Sequence, residues 1–83
     1  MNEFKVIIDM TYVLPKFKTF KLGEFHAAKV ELKLTASDPD DACYNAFQSF
    51  CDIILEQDSS SKMKCKLKDT ANDFIVRQLV LLK

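Results

Sequence analysis

One glycine and one histidine in 83 residues close off several kinds of chemistry at once. Gly23 alone cannot build the glycine-rich loops whose bare backbone cradles phosphates. His26 alone leaves no histidine-containing metal spacing and reads as a surface or strand-end residue. The cysteines, Cys43, Cys51 and Cys65, include no C-x-x-C pair, and an odd number argues against a closed disulfide framework. Cys43 and Cys51 lie on a segment read below as helix, about 12 Å apart along its axis and too far for a bridge. All three therefore read as small buried apolar residues in a reducing compartment. No metal, cofactor or catalytic residue is expected.

Long apolar runs are also missing. Nothing approaches the ~20 residues that span a bilayer, and the first residues lack a basic region followed by an apolar signal core. The expectation is a cytoplasmic protein with no membrane partner. Net charge is zero, so the average charge exerts no pull on nucleic acid. A chain this short forms one domain, residues 1–83, and buries only about 60% of the surface its unfolded form exposes. Its 48% hydrophobic and 29% charged content is too apolar for disorder, and seven phenylalanines supply much of the core.

What is present is organised around residues 28–56, where the hydrophobic period changes from two to 3.6. Val30, Leu32, Leu34 and Ala36 alternate with Lys29, Glu31, Lys33 and Thr35, as a strand with one buried face requires. Asp38 is then placed to cap a helix, Pro39 suits its first position, and Asp40 and Asp41 favour its positive end. Cys43, Ala46, Phe47, Phe50, Cys51 and Ile54 recur at helical spacing and face a sheet.

Residues 3–14 alternate as one long first strand ending at Pro15. Residues 15–27 are less regular, a short strand or an extended loop, with Gly23 at a turn. If the strands flanking this arm pair, it joins them as a wide hairpin. After the helix, Lys62, Lys64, Lys66 and Lys68 interleave with Met63, Cys65 and Leu67, a strand pattern with one lysine face. A turn at residues 69–73 leads into the apolar run 74–82, making a final hairpin. The fold expected is α+β: a small antiparallel or mixed sheet of four to five strands with one helix on one face, in the order β-(β)-β-α-β-β.

Charge is unevenly spread. Between Leu34 and Ser61 there are six acidic residues and no lysine or arginine. Asp41, Asp52 and Glu56 align on one side of the expected helix, as a solvated face or as a stripe that docks on a basic protein. Lysines along a strand stand ~6.6 Å apart, a spacing able to track phosphates. A nucleic-acid surface would combine Lys16, Lys18, Lys21, Lys62, Lys64, Lys66 and Lys68 with Phe17 and Phe20 stacking on bases. The alternative is an edge strand that lysines protect from aggregation. The final strand wants cover on both sides, since Ile75, Leu79 and Leu81 lie on one face and Phe74, Val76, Val80 and Leu82 on the other. One helix covers one face, so Ile75, Leu79 and Leu81 are expected at a homodimer interface unless the 15–27 arm folds over them.

The stretch Ala36-Ser37-Asp38-Pro39-Asp40-Asp41-Ala42, with strands before the helix and a hairpin after it, resembles the layout of some small phage-encoded anti-CRISPR proteins. That resemblance implies a short, cofactor-free, single-domain phage product that occupies a host protein's surface in the host cytoplasm; it assigns no residue a role. The lysine-rich segment departs from it. The leading expectation is a non-enzymatic protein-interaction module, an inhibitor of a host system. The alternatives are a small RNA- or single-strand-binding protein and, last, an enzyme subunit.

Overall fold

A computed structural model describes residues 1–82. Three strands form one antiparallel sheet in the order β2-β1-β3, with β1 (Asn2–Asp9) between β2 (Lys29–Ala36) and β3 (Ile75–Leu81). The described residues also form two α-helices, α1 (Pro39–Gln57) and α2 (Ser61–Thr70). The α+β class holds, with three strands and two helices in place of four to five strands and one helix. The period-two reading of β2 also holds: Val30, Leu32 and Ala36 are buried and pair with Ile8, Val6 and Asn2.

Four expectations are corrected. The first strand stops at Asp9 because the Asp9 side chain accepts the N–H of Thr11 at 2.9 Å, and the Met10 carbonyl then accepts from Val13 and Leu14. A short side chain that offers the backbone a local partner ends the ladder. Met10 and Val13 stay fully buried in the turn, so the apolar alternation runs past the strand that it mimics.

The 15–27 arm is neither a strand nor an open loop. Two 3-10 turns, Leu14–Phe17 and Gly23–Phe25, drive Phe17 and Phe25 into the core at 0% and 1% exposure. Gly23 has φ +55°, a left-handed conformation that glycine adopts without steric penalty. The side chain of Gln57 accepts from the Lys21 N–H at 2.9 Å and donates to its carbonyl at 2.7 Å, tying the arm to the end of α1.

The 62–68 segment is α2, a helix rather than a strand. Ser60 caps it by accepting from the Met63 N–H, and Met63, Leu67 and Thr70 are buried at i, i+4 and i+7. Cys65 decides between the two periods. A strand would put it beside Met63 and Leu67, whereas a helix turns it about 200° away, and it is exposed. The expected final hairpin is therefore a helix, a 3-10 turn (Ala71–Asp73) and one edge strand.

A bulge in β3 corrects its faces. Ile7 pairs with Gln78 but Ile8 with Val76, so Arg77 is the extra residue and the alternation changes phase there. Val76, Leu79 and Leu81 lie on the helix side opposite Ile8, Val6 and Phe4. Ile75 leaves this group for the other face, which it shares with Val80.

The core sits between sheet and helices, and Phe50 is its hub. Its ring packs against Phe17, Phe25 and Phe74 at centroid distances of 5.3, 5.4 and 5.8 Å. These contacts join α1 to both 3-10 turns of the arm and to the entry of β3. Because Phe17 and Phe25 meet Phe50, the arm lies on the helix side, and among the described residues no element covers the second face of the sheet. Lys5, Ile7 and Val80 on that face are half-buried.

Candidate interaction surfaces

Three surfaces carry the residues singled out by sequence. The first is the outer side of α1. Asp38 caps the helix by accepting the Asp41 N–H at 2.8 Å, and Asp41 in turn accepts from the Ser37 N–H and hydroxyl, both at 3.1 Å. This reciprocal arrangement stabilises the helix start and commits one Asp41 oxygen to it. Asp52 and Glu56, one turn apart near the other end, are exposed. Asp52 accepts from the neutral Gln48 amide at 3.0 Å. The ion pairs among the described residues are Lys5–Glu31, Lys16–Asp73 and Arg77–Asp9, and none involves α1.

The second surface is basic, and the helical geometry of α2 divides it. Lysines two residues apart on a helix point about 200° from one another, so Lys62 and Lys66 share one side while Lys64 and Lys68 share the other. Lys66 is held: its ammonium lies 4.7 Å from the centroid of Phe17 and donates to the Lys16 carbonyl at 2.7 Å. Phe17 is fully buried and Phe20 half-buried against it, so the ring of Phe17 is not offered to a base. Lys18 and Lys21 are exposed on the arm, and Lys16 pairs with Asp73. Lys64 and Lys68 rim a shallow groove of about 240 Å³ between the helices, floored by Phe47, Cys51, Leu55 and Leu67.

The third surface is the β3 edge. Among the described residues β3 pairs only with β1, leaving its outer backbone groups free. Leu79 is half-buried, while Leu81 and Leu82 are 57% and 39% exposed. Arg77 is engaged with Asp9 through two hydrogen bonds of 3.2 and 3.0 Å. The Asp9 carboxyl is held down at about 2, chiefly by its hydrogen bonds from Thr11 and then by Arg77. Sequence reasoning placed Leu79 and Leu81 together but missed that Ile75 is separated from them, since nothing in the residue pattern marks a bulge at Arg77.

The cysteines divide by depth. Burial pushes the Cys51 thiol up to about 11, with the charge of Asp52 adding to it; burial also raises Cys43, ahead of the charge of Asp40. Cys65 is exposed and Cys43 only half-buried, against the expectation that all three are buried. His26 is exposed and its Nδ1 donates to the Gly23 carbonyl at 2.9 Å, a local turn contact. Among the described residues no group of three or more His, Cys, Asp and Glu side chains is placed to hold a metal ion, and no helix is long and apolar enough to cross a membrane.

No family model, curated protein or solved structure matches this chain.

Proposed function

We propose that this chain is a non-catalytic module that works by occupying the surface of another protein, in the manner of a small phage or mobile-element inhibitor in its host's cytoplasm. The observation that carries this reading is the uncompensated acid on α1: Asp52 and Glu56 project from a helix anchored by Phe50, and neither is in an ion pair among the described residues. Unpaired exposed carboxylates on a rigid element steer a basic partner toward it and raise the association rate more than the final affinity.

The test begins with capture of the partner from a host lysate by the tagged chain. Association kinetics with Asp52→Lys and Glu56→Lys combined should then show an on-rate about tenfold lower at low salt. An unchanged on-rate and affinity would reduce the stripe to a solvated face and retire the reading.

The nucleic-acid alternative draws on the exposed Lys62, Lys64 and Lys68. It is weakened by the division of the lysines between two sides of α2 and by the burial of Phe17. Titration with single-stranded RNA at physiological salt should show no submicromolar binding. Tight binding that falls steeply with salt, and is lost in Lys64→Glu with Lys68→Glu, would put this alternative first.

A further inference from the structure

The free edge of β3 has a direction and a register that can be read from one hydrogen bond. The Leu82 N–H donates to the Glu3 carbonyl at 2.7 Å. Backbone groups alternate along a strand, so Val80 and Gln78 also point toward β1, in line with their pairing to Lys5 and Ile7. Leu79 and Leu81 consequently turn their N–H and C=O groups outward, where no strand receives them.

We propose that this edge pairs with the same edge of a second copy of the chain, antiparallel about a two-fold axis through Val80, joining two three-stranded sheets into one of six strands. The outward groups themselves choose this register. Leu79 lies opposite the partner's Leu81 and Leu81 opposite the partner's Leu79, each couple exchanging two hydrogen bonds, while the two Val80 residues face each other on the axis. A closed, isologous contact of this kind uses one patch twice and stops at a dimer.

Side chains and charge agree with that register. On the helix side it gathers Leu79 and the 57%-exposed Leu81 of both copies into one apolar cluster. On the other face the two Val80 side chains meet on the axis, each directly opposite the half-buried Lys5 of its own sheet, which is paired with Glu31, and with Ile7 on the diagonal. Residues 78–82 carry no charge, and of the two basic residues that flank them in sequence, Arg77 and Lys83, Arg77 is paired with Asp9. No like charges therefore meet at the axis. The opposite edge of the sheet differs: β2 carries Lys29, Glu31 and Lys33, charges that oppose strand addition. The contact is short, so its dissociation constant falls in the micromolar range. This pairing does not depend on whether α1 binds a basic protein.

Sedimentation of the full chain from about 1 to 500 µM should show a transition from the 9.5 kDa monomer to twice that mass. Leu81→Pro removes an outward N–H and leaves the β1 ladder intact, so it should remain monomeric with an unchanged far-ultraviolet spectrum. Leu81→Lys keeps the N–H, places like charges across the interface and should also be monomeric, which decides the matter if the proline variant does not fold. In a Cys65→Ser background, Val80→Cys should form an intermolecular disulfide on mild oxidation, because a non-hydrogen-bonded antiparallel pair holds its Cα atoms about 4.5 Å apart. Gln78→Cys, off the axis, should not. A wild-type chain that stays monomeric at the highest concentration overturns the proposal. So does a dimer that survives both Leu81 substitutions, or one in which Gln78→Cys crosslinks as readily as Val80→Cys.

Discussion

The two helices hold their places by different means. α1 runs for 19 residues, buries Ala42, Ala46, Phe50, Cys51 and Ile54, and sets one ring among three others. α2 has 10 residues, buries only Met63, Leu67 and Thr70, and leans on the contacts of one lysine, with the Lys66 ammonium over Phe17 and donating to the Lys16 carbonyl. A helix shorter than about 12 residues is marginal alone in water, so α2 exists because it is docked, whereas α1 is what others dock on. The difference teaches that the stability of this small molecule is concentrated. Phe50 links four segments, and α2 can be released at lower cost than any of them.

Truncation of the two buried stripes tests that contrast most strongly. Phe50→Ala should cost ~3–5 kcal/mol, the range for a core aromatic, because the arm, α1 and the entry of β3 all lose the same ring. Leu67→Ala should cost ~2–3 kcal/mol, since α2 can settle over the vacated space. Urea midpoints with unchanged slopes would measure both. Equal losses would mean that α2 is as integral to the core as α1.

Thiol labelling separates the helices by rate. At pH 8 the exposed Cys65 on α2 should react at least about a hundredfold faster than Cys51 on α1, whose raised pKa leaves little thiolate and whose burial requires local opening. Comparable rates would mean that Cys65 turns inward, as the discarded strand pattern would have it.

Why α1 and β2 could be read from residues and α2 could not follows from the number of periods each displays. α1 repeats its apolar spacing over five turns behind a proline and an aspartate cap, and β2 alternates cleanly over eight residues. In α2 Met63 and Leu67 are four apart, a spacing common to the same face of a helix and the same face of a strand; the lysines between them fit either. Only Cys65 breaks the tie, and because a free cysteine is usually buried it speaks for the strand. Tertiary packing decided the arm as well: Phe17 and Phe25 are eight residues apart in an irregular segment, and nothing local announces that both meet Phe50. Of the candidate surfaces, the aligned Asp52 and Glu56 were legible because the helix was. The free edge of β3 was not, because it depends on strand order and on a bulge.

The caps offer a smaller, paired comparison. Asp38→Ala should lower stability by about 1 kcal/mol, and Ser60→Ala by ~0.5 kcal/mol. The aspartate contact is shorter, 2.8 against 3.2 Å, and Asp38 adds a negative charge at the helix's positive end. Thermal midpoints would rank them, and a larger loss at Ser60 would reverse the order of dependence argued for the helices.

The smallest effect isolates what holds α2 beyond its apolar stripe. Lys66→Ala removes an ammonium 4.7 Å from the Phe17 ring centroid together with its hydrogen bond to the Lys16 carbonyl, and should cost ~0.5–1 kcal/mol. Lys64→Ala, on the other side of the same helix, should be near neutral, because its ammonium makes no hydrogen bond or ion pair among the described residues. Lys66→Arg should restore most of the loss, since a guanidinium also stacks on a ring and still reaches a carbonyl. Hydrogen exchange gives the same contrast locally: in Lys66→Ala the amides of α2 should lose protection while those of α1 keep theirs. Uniform loss of protection in both helices would show that α2 opens only when the whole molecule does, and the two helices would then form one cooperative unit.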